Sequence, residues 1–205
     1  MSHAGHFQNR HTARIILAHV THLTVVNHPA TGHAERYRFC PRCGHGLESR
    51  LLKASEPPRL VCDGCGFIFY LDPKVAVGTI VRLADHRLVL VQRAIEPAYG
   101  KWVFPGGYVD RGEPLLDAAI REAREECGLE VRLDGLVNVY SYADQSPVIA
   151  IYAATAISGT LCTDDEGMDV KAVSPDAIPW ADLAFRSTRE ALEDFLAGHV
   201  HPLLR

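Results

Sequence analysis

In "GGYVDRGEPLLDAAIREAREECGLE", residues 106–130, three glutamates fall at i, i+3 and i+4: Glu122, Glu125 and Glu126. On a helix that spacing places them on one face, where like charges repel by about 0.2–0.5 kcal/mol per pair. Arg121 and Arg124 lie beside them and offset only part of that cost. The stretch otherwise reads as a sound helix. Leu116, Ala119, Ile120, Ala123 and Cys127 recur at i, i+3, i+4, i+7 and i+11. Pro114 suits the first turn and Gly128 the position just past the end. A merely solvated face is normally laced with opposite charges, so this acidic edge requires a positive partner. Hard divalent cations such as Mg²⁺ or Mn²⁺ take oxygen ligands and suit clustered carboxylates. Gly106 and Gly107 allow close backbone approach, and the Gly107 carbonyl is a further candidate ligand. Arg121 is expected to pair with Glu113 and brace the turn into the helix.

Outward from this helix, strand-like and helix-like patterns alternate over residues 73–205. "VAVGTIVRL" (75–83) and "RLVLVQR" (87–93) are β-rich runs around the turn-like "ADH", which predicts a hairpin. "LVNVYSY" (136–142) and "VIAIYAATAIS" (148–158) are further strands, with "ADQSP" between them as a loop. "STREALEDFLAG" (187–198) closes the chain as an amphipathic helix ending near Gly198.

Residues 36–72 hold Cys40 and Cys43, then Cys62 and Cys65: two Cys-x2-Cys pairs with 18 residues between them. Each second cysteine precedes a glycine, Gly44 or Gly66, as a tight metal knuckle requires. Four thiolates in a tetrahedron saturate a structural zinc and leave no open position for catalysis. A zinc ribbon over 36–72 is therefore expected, its ion folding a segment too short to fold alone. Disulfides and thiol redox chemistry are the competing readings. Cys127 and Cys162 lack partners at metal spacing and read as small hydrophobes.

Residues 1–35 contain seven of the chain's 11 histidines, His3, His6, His11, His19, His22, His28 and His33, at irregular spacing. We expect a disordered tail or an upstream start-site extension. Across 205 residues, 47% are apolar and 22% charged, with net charge −4 and a pI of about 6.2. That balance argues against general nucleic-acid binding. No apolar run approaches the roughly 18 residues that span a bilayer, and "RIILAHV" is too short for an export signal, so a cytoplasmic protein is expected.

From Gly107 to Leu129 the chain matches, at every fixed position, G-x5-E-x7-R-E-U-x-E-E-x-G-U, with U apolar. Ala123 is small where a bulkier aliphatic is common. This 23-residue box resembles the signature of the Nudix hydrolases. The resemblance implies an α/β class fold, an α/β/α sandwich around a mixed sheet, over residues 73–205. It implies Glu122, Glu125 and Glu126 as ligands of Mg²⁺ or Mn²⁺, with Glu113 and Arg121 supporting the box. It does not fix the catalytic base, which in some relatives is a box glutamate and in the ADP-ribose-type branch a glutamate of a later loop. Here "CTDDEGMDVKAVSPDAIPW" offers Glu166, ahead of Asp164, Asp165 and Asp169.

Over residues 38–190 the order of segments is similar to zinc-ribbon Nudix enzymes that hydrolyse ADP-ribose or FAD. NADH pyrophosphatases share the ribbon, but their post-box Q-P-W-P-F-P-x-S-type segment is reduced here to "DQSPV" (144–148). The implied reaction is hydrolysis of the pyrophosphate bond of a nucleoside diphosphate linked to another group. The alternatives are an NADH pyrophosphatase and a non-catalytic nucleotide sensor or nucleic-acid binder. Candidate substrate contacts are Arg93 and the aromatic platforms Tyr99, Trp102, Phe104, Tyr108 and Tyr142. A homodimer through the ribbon is a further expectation.

Overall fold

The computed structural model of the protein describes residues 37–143 and 145–203. The described residues form one unit ending at Phe69 and another beginning at Tyr70. The His-rich segment 1–35 and Asp144 of "DQSPV" lie outside the described residues.

The first unit is built on two matching turns. Cys40 N–H donates to the His45 carbonyl at 2.7 Å and Gly44 N–H to the Cys40 carbonyl at 2.9 Å. In the second turn Cys62 N–H reaches the Phe67 carbonyl at 2.9 Å and Gly66 N–H the Cys62 carbonyl at 3.1 Å. Gly44 and Gly66 have φ of 77° and 71°, the left-handed region that a side chain disfavours. The strands β1 (Leu47–Arg50), β2 (Arg59–Cys62) and β3 (Ile68–Phe69) form an antiparallel sheet in that order. Only Cys40, Leu60, Val61 and Cys62 are buried in this unit among the described residues. So few buried side chains do not offset the entropy of ordering some thirty residues.

The second unit contains β4 (Lys74–Arg82), β5 (Leu88–Arg93), β6 (Trp102–Val103), α1 (Leu115–Cys127), β7 (Leu129–Ser141), β8 (Pro147–Gly159), β9 (Gly167–Val173) and α2 (Arg186–Leu196). Strand order is β6-β5-β4-β8-β7, with β9 pairing β5. β4 and β8 run parallel while the other pairs are antiparallel, giving the mixed sheet. Alternate residues of the central strands serve opposite faces. Val81, Val89, Val91 and Ala154 pack with Ala123 and Cys127 of α1. Ile80, Leu88, Leu90, Ile151 and Ala153 pack with Ala191 and Leu192 of α2. The sheet is thus covered on both sides, which explains why β4 reads as a nearly continuous apolar run.

Three expectations need correction. The hairpin turn exists, with His86 N–H donating to the Leu83 carbonyl at 3.0 Å, but β4 and β5 pair only at Arg82 and Leu88. Beyond that β4 follows β8 and β5 follows β9. Leu116 is 39% exposed, and Ala118 occupies the buried face of α1 in its place. The small side chains of Ala118, Ala119 and Ala123 let α1 lie close on β4, where the Thr79 hydroxyl donates to the Ala119 carbonyl at 3.0 Å. Finally, β7 starts at Leu129, directly after α1, rather than at 136. Its register shifts break the alternation that marks a strand.

Candidate functional site

The approach to α1 is laid against β4. Thr79 N–H donates to the Pro105 carbonyl at 2.8 Å, Val77 N–H to the Gly107 carbonyl at 2.9 Å, and Val109 N–H to the Val75 carbonyl at 3.0 Å. A Cβ at Gly106 would meet the Val77 carbonyl, and one at Gly107 would lie 2.6 Å from the Glu122 carboxylate. Two glycines are therefore required where the chain passes between strand and helix. Val77 uses one lone pair of the Gly107 carbonyl, leaving the other for an ion.

The three glutamates line one cleft of about 920 Å³, together with Asp164 and Glu166. Their environments differ. Glu122 is buried; burial raises its carboxyl pKa and the Arg121 guanidinium opposes that. The Glu125 side chain is 53% exposed. Glu126 accepts the Gly106 N–H at 2.6 Å. Burial pushes Glu126 up to about 8; the Gly106 hydrogen bond opposes this, while the negative charges of Glu122, Asp164 and Glu166 add to it.

Arg121 holds the turn. Its Nε and Nη2 grip Glu113 at 2.7 and 2.9 Å, and its Nη1 reaches Glu122 at 2.8 Å and Glu125 at 3.0 Å. Arg124 faces elsewhere, paired with Glu130. One guanidinium is thus shared among three carboxylates, and Glu126 receives none of it. Burial and neighbouring negative charge work against ionisation of Glu122 and Glu126, and a divalent cation would offset both. The donor set, all oxygen and partly solvated, fits Mg²⁺ or Mn²⁺.

Glu113 yields a pH prediction. Its bidentate hydrogen bond from Arg121, and then the Asp110 N–H, lower its pKa from 4.5 to about 2. A depressed folded-state value contributes stability that is full above the unfolded pKa and lost as pH falls through the folded one. The wild type should therefore lose this contribution between pH 4.5 and about 2. Glu113→Gln should be less stable at neutral pH and converge with the wild type across that window. Urea midpoints measured from pH 7 to 2 check this; a constant difference would contradict it.

The loop between β8 and β9 brings the later acids to the same cleft. Ala94 N–H donates to the Glu166 carbonyl at 2.7 Å, and Glu166 N–H to Asp164 Oδ1 at 3.0 Å. Asp165 does not line the cleft, and Asp169 sits within β9, paired with Gln92. Arg93 lines the cleft, its Nε bonded to the Pro97 carbonyl at 2.9 Å. Tyr108 lines it with 58% of its surface exposed, and Tyr142 and Phe104 also contribute. Trp102 is a correction. It is 8% exposed within the core, its ring is covered by the Lys171 ammonium at 3.6 Å, and it does not line the cleft. Its place on the short β6 turns its ring away from the substrate space. Tyr99 is exposed but also lies off the cleft. Sequence reasoning missed the start of α2, where Phe185, Ser187 and Thr188 line the cleft. The available signal was a helix opening on "FRST" with no acidic residue in its first turn.

In the first unit, ligand atoms of Cys40, Cys43, Cys62 and Cys65 all lie within 4.8 Å of one another. Cys40 and Cys65 sulfurs are 3.8 Å apart, and those of Cys43 and Cys62 3.4 Å. A zinc tetrahedron with bonds of about 2.3 Å has sulfur–sulfur edges of about 3.8 Å. Backbone N–H groups of Arg42 and Cys65 donate to the Cys40 and Cys62 sulfurs at 3.4 Å, as thiolate ligands need. The cluster fits a soft tetrahedral ion.

Both units resemble known proteins. Residues 72–195 match the family described as NUDIX domain, and residues 38–71 the one described as Nudix N-terminal. An ADP-ribose pyrophosphatase of Methanocaldococcus jannaschii is 32% identical over 114 residues, 54% of this chain and 67% of that protein. An NAD-capped RNA hydrolase NudC of Pseudomonas aeruginosa is 27% identical over 176 residues, 83% of this chain and 61% of that protein. The chain thus spans about two thirds or less of these curated relatives. Among solved structures, a NUDIX hydrolase from Nitrosomonas europaea superimposes with a TM-score of 0.75 at 32% identity, covering 82% of this chain and 97% of that one.

Proposed function

The chain belongs to the Nudix family, and from that premise we propose that it hydrolyses the pyrophosphate bond of a nucleoside diphosphate linked to another group, of the ADP-ribose or FAD type. The observation that carries this reading is the convergence of Glu122, Glu125 and Glu126 with the loop acids on one cleft. The three glutamates, with the Gly107 carbonyl, are the ligand set for Mg²⁺ or Mn²⁺. Such ions, when bound, neutralise the diphosphate and lower the pKa of a coordinated water.

The chain's own residues do the rest. Glu113 and Arg121 fix the angle at which the loop enters α1, and so the spacing of the ligands. Glu166 is the proposed general base, holding the attacking water at its carboxylate and taking its proton. Arg93 and Tyr108 contact the nucleotide. Water attack on phosphorus then releases AMP, with ribose 5-phosphate from ADP-ribose or FMN from FAD. Positioning and charge stabilisation supply most of the rate, as in other phosphoryl transfers.

We also propose that the cysteine cluster holds a structural Zn²⁺ in a ribbon over residues 36–72, ahead of a hydrolase domain over 73–205. A thiol-ligated site favours the reducing cytoplasm. Among the described residues no helix is long and apolar enough to cross a membrane.

A second reading, a dinucleotide such as NADH as substrate, is favoured by the alignment of the NudC relative over 83% of this chain. Product analysis with ADP-ribose, FAD, NADH, diadenosine polyphosphates, CoA and nucleoside triphosphates separates the two. AMP from ADP-ribose or FAD at the highest kcat/KM is the expected outcome. Preference for NADH selects the second reading, and cleavage of triphosphates alone rejects both.

A further inference from the structure

Helix α2 starts without a cap. Phe185 at the N-cap makes no side-chain hydrogen bond, and the first turn carries no acidic residue. The opening N–H groups of a helix have no acceptor within it; here the ladder begins with Arg189 N–H donating to the Phe185 carbonyl at 3.2 Å. An end of this kind carries roughly half a positive charge and receives anions readily.

Two hydroxyls in the same turn point to a ligand independently. Thr188 is 1% exposed and Ser187 6% exposed, and both line the cleft that holds the glutamates. Among the described residues neither hydroxyl has a hydrogen-bond partner. Neither is a sealed buried atom left without a partner, so each hydroxyl opens onto the cleft and can donate to an anion there. Nearby charges favour an anion. Arg93 lies over the Phe185 ring at 5.1 Å, and its Nε alone is bonded to Pro97. Arg186 is already matched by Glu190, which also accepts the Tyr142 hydroxyl at 2.7 Å. Glu96 is an opposing charge, as are the glutamates and loop acids elsewhere on the same cleft.

We propose that the N-terminus of α2, with Thr188, Ser187 and Arg93, is a phosphate subsite of the cleft, taking a substrate phosphate that the glutamate-bound ions do not hold. This rests on the pyrophosphatase reading and deepens it. The phosphate has two sources: the second phosphate of the diphosphate itself, or a phosphomonoester elsewhere on the nucleotide.

The test compares ADP-ribose with 2′-phospho-ADP-ribose. Thr188→Val removes the hydroxyl at nearly constant shape and should raise KM about tenfold with kcat within about twofold, a loss of uniform binding. Thr188→Ser should restore it. Ser187→Asp places a carboxylate where the helix dipole favours it, so folding holds while KM rises; this variant serves if Thr188→Val folds poorly. Equal increases with both substrates assign the subsite to the diphosphate, and an increase only with the phosphorylated one assigns it to the extra phosphate. In parallel, inorganic pyrophosphate is titrated calorimetrically into protein without added Mg²⁺ or Mn²⁺. Weaker binding to Thr188→Val and Ser187→Asp supports the subsite. Unchanged KM together with unchanged pyrophosphate binding overturns it. Absence of turnover in the wild type would reject the pyrophosphatase reading, and the titration would still decide the subsite.

Discussion

Glu125→Gln is expected to lower turnover by at least about a hundredfold, the scale of removing one group that stabilises charge in a transition state, while the thermal midpoint stays within a few degrees. Of the three helix glutamates this one gives the cleanest test. Glu122 is buried beneath the Gly107 backbone, and Glu126 accepts the Gly106 N–H. Changing either disturbs the approach to α1 as well as the ligand set. The Glu125 side chain is 53% exposed, and its one ion pair, with Arg121 at 3.0 Å, is shared with better-buried carboxylates. Exposed pairs of this kind contribute little to stability. Loss of activity with stability retained therefore isolates the ligand role. Steady-state kinetics over a Mg²⁺ titration, beside a calorimetric scan, measure both. Undiminished turnover would reject the ligand assignment, and a wild type without metal-dependent turnover would favour a non-catalytic nucleotide sensor.

The second large effect concerns the first unit. Cys62→Ser, or removal of the ion by a chelator, should unfold residues 37–69. Structural zinc supplies about 10–16 kcal/mol in zinc-finger peptides, and this unit buries only Cys40, Leu60, Val61 and Cys62 among its described residues. Hydrogen exchange should show the amides of β1 and β2 unprotected in the variant and protected in the wild type. Zinc measured by mass spectrometry should fall from one per chain to none. Protection retained without metal would mean the small core suffices. A shift in sedimentation on losing the ion would support a dimer contact through the ribbon.

What was legible in the residues followed from local chemistry. Cysteine spacing announced the cluster, because two tight turns are needed to converge four sulfurs. The glutamate box announced the helix and its acidic edge, because like charges at i, i+3 and i+4 repel unless a cation joins them. The bidentate pairing of Arg121 with Glu113 could be anticipated from eight residues of separation across a turn. What escaped depended on partners distant in the chain. β9 is a seven-residue strand that includes Asp169 and Lys171, and only pairing with β5 makes it one. The two residues of β6 carry no pattern at all. Leu116 fits the apolar spacing of α1 and still faces outward, because the alanine face packs closer on the sheet. Trp102 has the chemistry of a stacking platform, yet burial decides its use. The start of α2 reaches the cleft only through the order of strands.

The grip of Arg121 on Glu122 and Glu125 has a consequence for loading. Under the ligand set proposed above, an ion would find Glu126 free of that guanidinium but would compete with it for Glu122 and Glu125. Net affinity is lowered by that competition, so occupancy should track the free ion concentration rather than saturate at trace levels. The same arginine would hold these side chains in place when no ion is bound.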